Sequence, residues 1–245
     1  MDAKSPEPEA YDFAEHMATN SELFFTYPNS EKFKKTIVKY NQHDNDYQLI
    51  KSSLINTFTI RAIQIGSEVI SSEYDSEEIV KYWNLFDGKS VKRTVIGSLG
   101  QKLENHSLTN LRKEKIFFSG GFQYAQDPAT DRVIAFDLKK YKKKEMPRMN
   151  KARCNHSSLV HQEKLYVISG QTKFQGEPVA SMEVLDLLQP DRWVLIHEGD
   201  PLLYRAEGSL VSLFSPHEMI IAGGDVDGYM TSDVIIYDFR NESLT

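Results

Sequence analysis

Asn155-His156-Ser157-Ser158, a charged turn, then Leu165-Tyr166-Val167-Ile168-Ser169-Gly170: this stretch repeats a block that stands earlier as Asn105-His106-Ser107-Leu108, a charged turn and Ile116-Phe117-Phe118-Ser119-Gly120. The shift is 50 residues at both ends, Asn105 to Asn155 and Gly120 to Gly170. A third copy is Gly208-Ser209-Leu210-Val211, a turn and Met219-Ile220-Ile221-Ala222-Gly223-Gly224, with Gly223 lying 53 residues past Gly170. Self-similarity at that period is the signature of stacked structural units.

The segment after each Gly recurs as well. An alternating apolar run ends in Asp three times, as Val133-Ile134-Ala135-Phe136-Asp137, Met182-Glu183-Val184-Leu185-Asp186 and Val234-Ile235-Ile236-Tyr237-Asp238. After the best copy comes an aromatic segment, Arg192-Trp193-Val194-Leu195-Ile196, so one unit reads as four strands. Toward the N-terminus the pattern fades: Glu68-Val69-Ile70-Ser71-Ser72 stands where the Gly strand belongs, followed by Ile79 to Asn84. Leu23 to Tyr27, Ile37 to Asn41 and Tyr47 to Ile50 read as strands of an earlier unit, and Met17-Ala18 falls at its inner strand. Five units are expected, with approximate bounds 13–52, 53–97, 98–149, 150–199 and 200–245, after an acidic, disordered tail over 1–12.

A four-stranded sheet of this pattern has two partly apolar faces, and radial stacking buries them between neighbours. Gly after the second strand accepts positive φ, and Asp after the third can take hydrogen bonds from turn amides. Gly120, Gly121, Gly170, Gly223 and Gly224, with Asp137, Asp186 and Asp238, are therefore read as architectural.

These units resemble kelch repeats, whose signature is an apolar strand ending in Gly-Gly, a strand ending near Asp, and a Trp opening the fourth strand. The copy from about Asn150 to Glu198 carries most of it, including Trp193, Arg153 and His156. It departs at Gly170-Gln171, where the second Gly is read as missing. The copy with Gly120-Gly121 has Tyr141 in place of Trp. The resemblance implies an all-β, kelch-type β-propeller of about five four-stranded blades, or part of a six-bladed one. Thr245 falls where a final Trp would stand, so the last blade is expected to lack its outer strand. Either Tyr11 to Glu15 supply that strand or the sequence is part of a longer propeller with a sixth blade, and an unpaired edge would favour association.

With 245 residues, 40% hydrophobic and 26% charged, a single repeat domain with a sizeable core is possible. A net charge of −6 argues against nonspecific nucleic-acid binding. One cysteine, Cys154, excludes an internal disulfide. No signal peptide or apolar run of membrane-spanning length is seen, so the expectation is no membrane association and a cytoplasmic or nuclear location.

Several residue groups invite chemistry. Lys139-Lys140-Tyr141-Lys142-Lys143-Lys144 could meet phosphate but reads as a solvated hairpin. His106 and His156 are equivalent in successive units, yet two His without a third ligand make a poor metal site, and no metal or cofactor is expected. Cys154 beside Arg153 has no base placed by the sequence and reads as an inert thiol. Nucleotide-binding Gly loops, Gly-x-Ser-x-Gly and His-Glu-x-x-His are missing, so no catalytic residue is assigned.

The preferred reading is a non-catalytic protein-interaction module. The loops between second and third strands, Glu73 to Glu78, Phe122 to Arg132, Gln171 to Ala180 and Asp225 to Ser232, carry Tyr124, Phe174 and Tyr229, and they share a face with the crossovers bearing Arg153 and Arg205. Those five residues form the expected contact set for a protein partner of unknown identity. The resemblance adds roles as adaptor or scaffold: a substrate receptor working with a separate ubiquitin-ligase subunit, or a cytoskeletal protein associating through the open blade edge. A propeller enzyme, such as a sugar mutarotase or oxidase, is the other alternative.

Overall fold

The computed structural model describes residues 99–100, 103–112, 114–205, 208–226 and 229–245, and before residue 99 the backbone of eight strands. Side chains are described from Leu99 onward within those ranges, except at Arg205 and Val226. The architecture is all-β: five four-stranded antiparallel sheets follow one another along the chain, as kelch-type propeller blades do.

The first sheet comprises β1 (Met17–Ala18), β2 (Glu22–Asn29), β3 (Lys34–Asn41) and β4 (Asp46–Ile50). The second has β5 (Ile60–Ile65), β6 (Glu68–Glu73), β7 (Ile79–Phe86) and β8 (Ser90–Ser98), and the third β9 (Ser107–Leu111), β10 (Lys115–Ser119), β11 (Val133–Asp137) and β12 (Lys142–Glu145). The fourth is β13 (Ser157–His161), β14 (Lys164–Ile168), β15 (Ser181–Asp186) and β16 (Trp193–Glu198). The fifth joins β17 (Leu210–Ser215), β18 (Glu218–Ala222), β21 (Val234–Asp238) and β22 (Ser243–Leu244), with a small hairpin of β19 (Asp225–Val226) and β20 (Tyr229–Met230) in its second-to-third loop. The first strands of successive sheets, β1, β5, β9, β13 and β17, lie beside one another in that order.

Two expectations are corrected. The fifth sheet does have a fourth strand, because Tyr237 pairs with Leu244 and Asp238 with Ser243, and the backbone of Ile236 exchanges two hydrogen bonds with Thr245 at 2.8 and 2.9 Å. The edge of β21 is therefore covered. Residues 1–16, including the tail and Tyr11 to Glu15, lie outside the described residues.

The second correction concerns the Gly doublet. The turn from β9 to β10 has three residues, 112–114, whereas that from β13 to β14 has two, Gln162 and Glu163, both at positive φ (48° and 58°). Two-residue hairpin turns with that twist suit the flanking strands. One fewer turn residue moves β14 by one position, so Ser169-Gly170, not Gly170-Gln171, is the counterpart of Gly120-Gly121 and Gly223-Gly224. The dihedrals agree: φ is 61° at Gly120, 56° at Ser169 and 70° at Gly223, then 92°, 105° and 120° at Gly121, Gly170 and Gly224. The second Gly is the one retained. A Cβ at Gly121 would stand 2.6 Å from the Glu104 carbonyl oxygen, and one at Gly170 would stand 2.6 Å from that of Cys154.

Side-chain parity then builds the core. In β10, β14 and β18 the residues one and three past the start face the preceding sheet, and in β10 and β14 those two and four past it face the following one. Ile116 and Phe118, with Ile134 and Phe136, pack around Leu99. Phe117, Val133 and Ala135 of the third sheet meet Leu165, Val167, Leu185 and Trp193 of the fourth. Tyr166, Ile168 and Met182 of the fourth meet Met219, Ile221, Ile235 and Tyr237 of the fifth. Trp193 is fixed by its indole N–H, which donates to the Pro147 carbonyl at 2.8 Å.

Candidate functional site

The second-to-third loops of the third and fourth sheets are tied together. Pro128 bridges Lys173, and the Ala129 amide donates to the Thr172 carbonyl at 2.7 Å. Beneath them Phe122, Ala129 and Cys154 form a small buried cluster, on which the Phe174 ring sits edge-on with centroids 6.1 Å from Phe122. The Tyr124 backbone is held by a turn: its amide donates to Asp127 Oδ2 (3.1 Å), and its carbonyl accepts from the Asp127 amide (2.8 Å). The rings nonetheless stand in solvent, Tyr124 at 50% exposure and Phe174 at 42%.

The corresponding loop of the fifth sheet folds into the β19–β20 hairpin, which lies against the 3-10 turn Leu203–Arg205. Tyr229 is 78% exposed, and beside it Met230 is 69% exposed. Met230 and the exposed Tyr204 of the crossover were missed by sequence reasoning; adjacency to Tyr229 and Arg205 was the signal that could have found them.

Arg153 does not belong to this surface. It is fully buried, and its guanidinium donates to the Ser169 carbonyl (2.7 Å), the Ser181 carbonyl (3.1 Å), Ser181 Oγ (2.9 Å) and Glu183 Oε1 (2.5 Å). Burial pulls its pKa down, and the Glu183 carboxylate opposes that pull. Glu183 also accepts from the amides of Asn150 (2.7 Å) and Lys151 (3.0 Å), so the pair fastens the crossover onto the third strand of its own sheet. With its Nε also donating to the Lys151 carbonyl at 3.4 Å, a cation committed to five acceptors inside the fold has nothing left to offer a partner. The side chain of Arg205 lies outside the described residues.

The remaining candidates have structural partners. His106 Nδ1 is 2.8 Å from the Leu103 carbonyl, and His156 Nε2 is 2.8 Å from Ser119 Oγ. Cys154 is buried, its thiol 3.5 Å from the Gln171 carbonyl. Among the described residues no group of three or more metal-ligating side chains occurs. The basic run forms the turn and edge strand β12, with Lys139 2.6 Å from Glu114 and Lys143 Nζ donating to the Leu99 carbonyl at 3.0 Å. Exposed lysines on an outer strand discourage further strand pairing. Each repeated Asp closes its turn: Asp137 Oδ1 accepts from the amides of Lys139 and Lys140, Asp186 Oδ1 from Leu188 and Gln189, and Asp238 Oδ1 from Arg240. No helix among the described residues is long and apolar enough to cross a membrane.

Comparison with known proteins gives one family match: residues 152–190 fit the family model of the Kelch motif. The matched segment runs from the crossover ahead of β13 to the turn after β15, so it contains Arg153, Gly170 and Asp186 and stops short of Trp193. No curated protein matches the chain. The match thus lies within the fourth of the five successive four-stranded sheets.

Proposed function

We propose that this protein binds a protein or peptide partner through the end of the blades that carries the second-to-third loops, acting as a non-catalytic adaptor or scaffold. The observation that carries the reading is the exposure of three aromatic rings on equivalent loops of three successive sheets, Tyr124 and Phe174 on two loops hydrogen-bonded to each other and Tyr229 on the β19–β20 hairpin. Large aromatics held on an ordered backbone contribute contact area at low entropic cost. Met230 and Tyr204 extend the same surface. The partner is a protein whose contact patch accepts aromatic side chains; recruitment to a ubiquitin-ligase subunit or to the cytoskeleton is the kelch-type role this reading favours.

The test is replacement of Tyr124, Phe174 and Tyr229 by Ser together, followed by quantitative pull-down from native extract and thermal melting. Each exposed aromatic at the centre of such a contact contributes about 1–2 kcal/mol, so binding should fall by roughly a hundredfold or more. The melting transition should stay nearly unchanged. Undiminished binding would remove the loop face as the contact surface.

A further inference from the structure

Of the three outer strands whose side chains are described, β12 alone adds nothing to the buried seams. Lys142, Lys143, Lys144 and Glu145 are all exposed, whereas β16 sends Trp193 and Ile196 into the apolar clusters and β22 sends Leu244. β12 closes the third sheet on the outside, and β11 is its one partner among the described strands.

The backbone of this edge has a definite polarity. At the start of β11 the Arg132 carbonyl accepts from the Gly120 amide on the inner side, and the Val133 carbonyl accepts from the Met146 amide on the outer side, both at 2.9 Å. Alternation then turns the backbone groups of Ala135 and Asp137 toward β12 as well, where Lys144 and Lys142 stand opposite them. Lys143 and Glu145 are left with their amides and carbonyls turned outward. The side chains sort by the same period. Lys143 and Glu145 share the face of Phe136 and Ile134, where Lys143 Nζ donates to the Leu99 carbonyl and Glu145 Oε2 accepts from Arg132 Nε at 3.1 Å. In the preceding turn Lys139 lies 2.6 Å from Glu114, and Lys140 lies 4.0 Å from Asp137. Lys142 and Lys144 stand two residues apart on the other face, and neither ammonium is paired with a described residue.

We propose that the outer edge of β12 takes an extended peptide with carboxylate side chains at alternate positions, added antiparallel as a fifth strand of the third sheet. Such a strand bonds to the outward groups of Lys143 and Glu145. Its carboxylates then fall opposite Lys142 and Lys144, at the non-hydrogen-bonded positions where facing side chains come closest. Lysines that repel a second copy of the same edge thereby select an acidic strand. An extended polyphosphate would meet the two charges but not the row of backbone donors and acceptors, and the net charge of −6 opposes its approach. The site uses none of Tyr124, Phe174 and Tyr229, so it is tested apart from the loop face.

The probe is a short fluorescein-labelled peptide alternating Glu and Thr, titrated with the full chain by fluorescence anisotropy. It should bind saturably. The Lys142→Glu/Lys144→Glu variant, altered at two exposed positions, should bind it about tenfold more weakly or worse, with an unchanged melting transition. Amide exchange of the unaltered chain gives a second reading that needs no variant: the Lys143 and Glu145 amides should gain protection when the peptide is added. Absence of saturable binding, equal affinity in the double variant, or unprotected Lys143 and Glu145 amides would each overturn the proposal. So would equal binding of the same peptide N-methylated at its Thr residues, whose amides face Lys143 and Glu145, because charge alone would then suffice. Tighter binding of inorganic polyphosphate than of the peptide would likewise overturn it and assign the edge to polyanions.

Discussion

At Ser169 a serine occupies a backbone position that its counterparts fill with glycine. The left-handed conformation at φ 56° costs a non-glycine residue roughly 1–2 kcal/mol. Ser169 Oγ donates to the Leu203 carbonyl at 2.8 Å, which returns about 1 kcal/mol and links the turn to the next crossover. At Gly120 the same exchange is barred, because a Cβ would come within 2.1 Å of the Arg153 carbonyl oxygen. Ser169→Ala should therefore lose about 1 kcal/mol in chemical denaturation, keeping the strain without the bond, whereas Ser169→Gly should be within about 1 kcal/mol of the parent. A larger loss for Gly than for Ala would contradict this. The buried pair gives a second residue-scale expectation. Arg153→Met strands the Glu183 carboxylate and should cost about 3–5 kcal/mol, while adding Glu183→Leu should recover part of that loss. A double variant less stable than Arg153→Met would show that the Asn150 and Lys151 amides depend on Glu183 more than the guanidinium does.

At the scale of the strand and its turn, the last hairpin is tuned by charge. The side chain and backbone amide of Arg240 bond to Asp238 and hold its pKa down at about 2. A carboxyl depressed from the ordinary value of about 4 stabilises the fold above that pH, and the contribution disappears as the pH falls through about 2. Carboxyl NMR titration should place the Asp238 midpoint near 2, and Arg240→Ala should move it back toward the ordinary range. An unmoved midpoint would assign the shift to the backbone alone. The strands themselves were legible in the residues, since Met17-Ala18 and Leu23 to Tyr27 fall in β1 and β2 although their repeat lacks both glycines. The Gly register was not, because a turn shortened by one residue leaves the local pattern intact while sliding the strand behind it. Arg153 misled for a related reason: a guanidinium in a crossover reads as surface, and only the third strand of its own sheet, 30 residues on, supplies the buried carboxylate. Tyr124, Phe174 and Tyr229 were legible as exposed because long loops with few apolar neighbours cannot bury a ring.

Over the molecule as a whole, the buried clusters among the described residues each join neighbouring sheets. Ile168 is fully buried in the seam between the fourth and fifth sheets, so Ile168→Ala should cost about 2–5 kcal/mol. In a stack coupled only through nearest neighbours, amide exchange should accelerate in β13–β18, β21 and β22 and change little in β9–β12. Uniform acceleration through all three sheets would mean that they unfold as one cooperative unit. The alternation of faces also has a kinetic meaning during synthesis. A sheet is complete once its own four strands have emerged, yet one of its faces waits for the next second and third strands, which end about 40 residues later. At about 5–20 residues per second the ribosome leaves that face bare for roughly 2–8 seconds, and it does so anew with every repeat. The nascent chain thus always has one unfinished surface at its growing end, the natural place for a chaperone to bind.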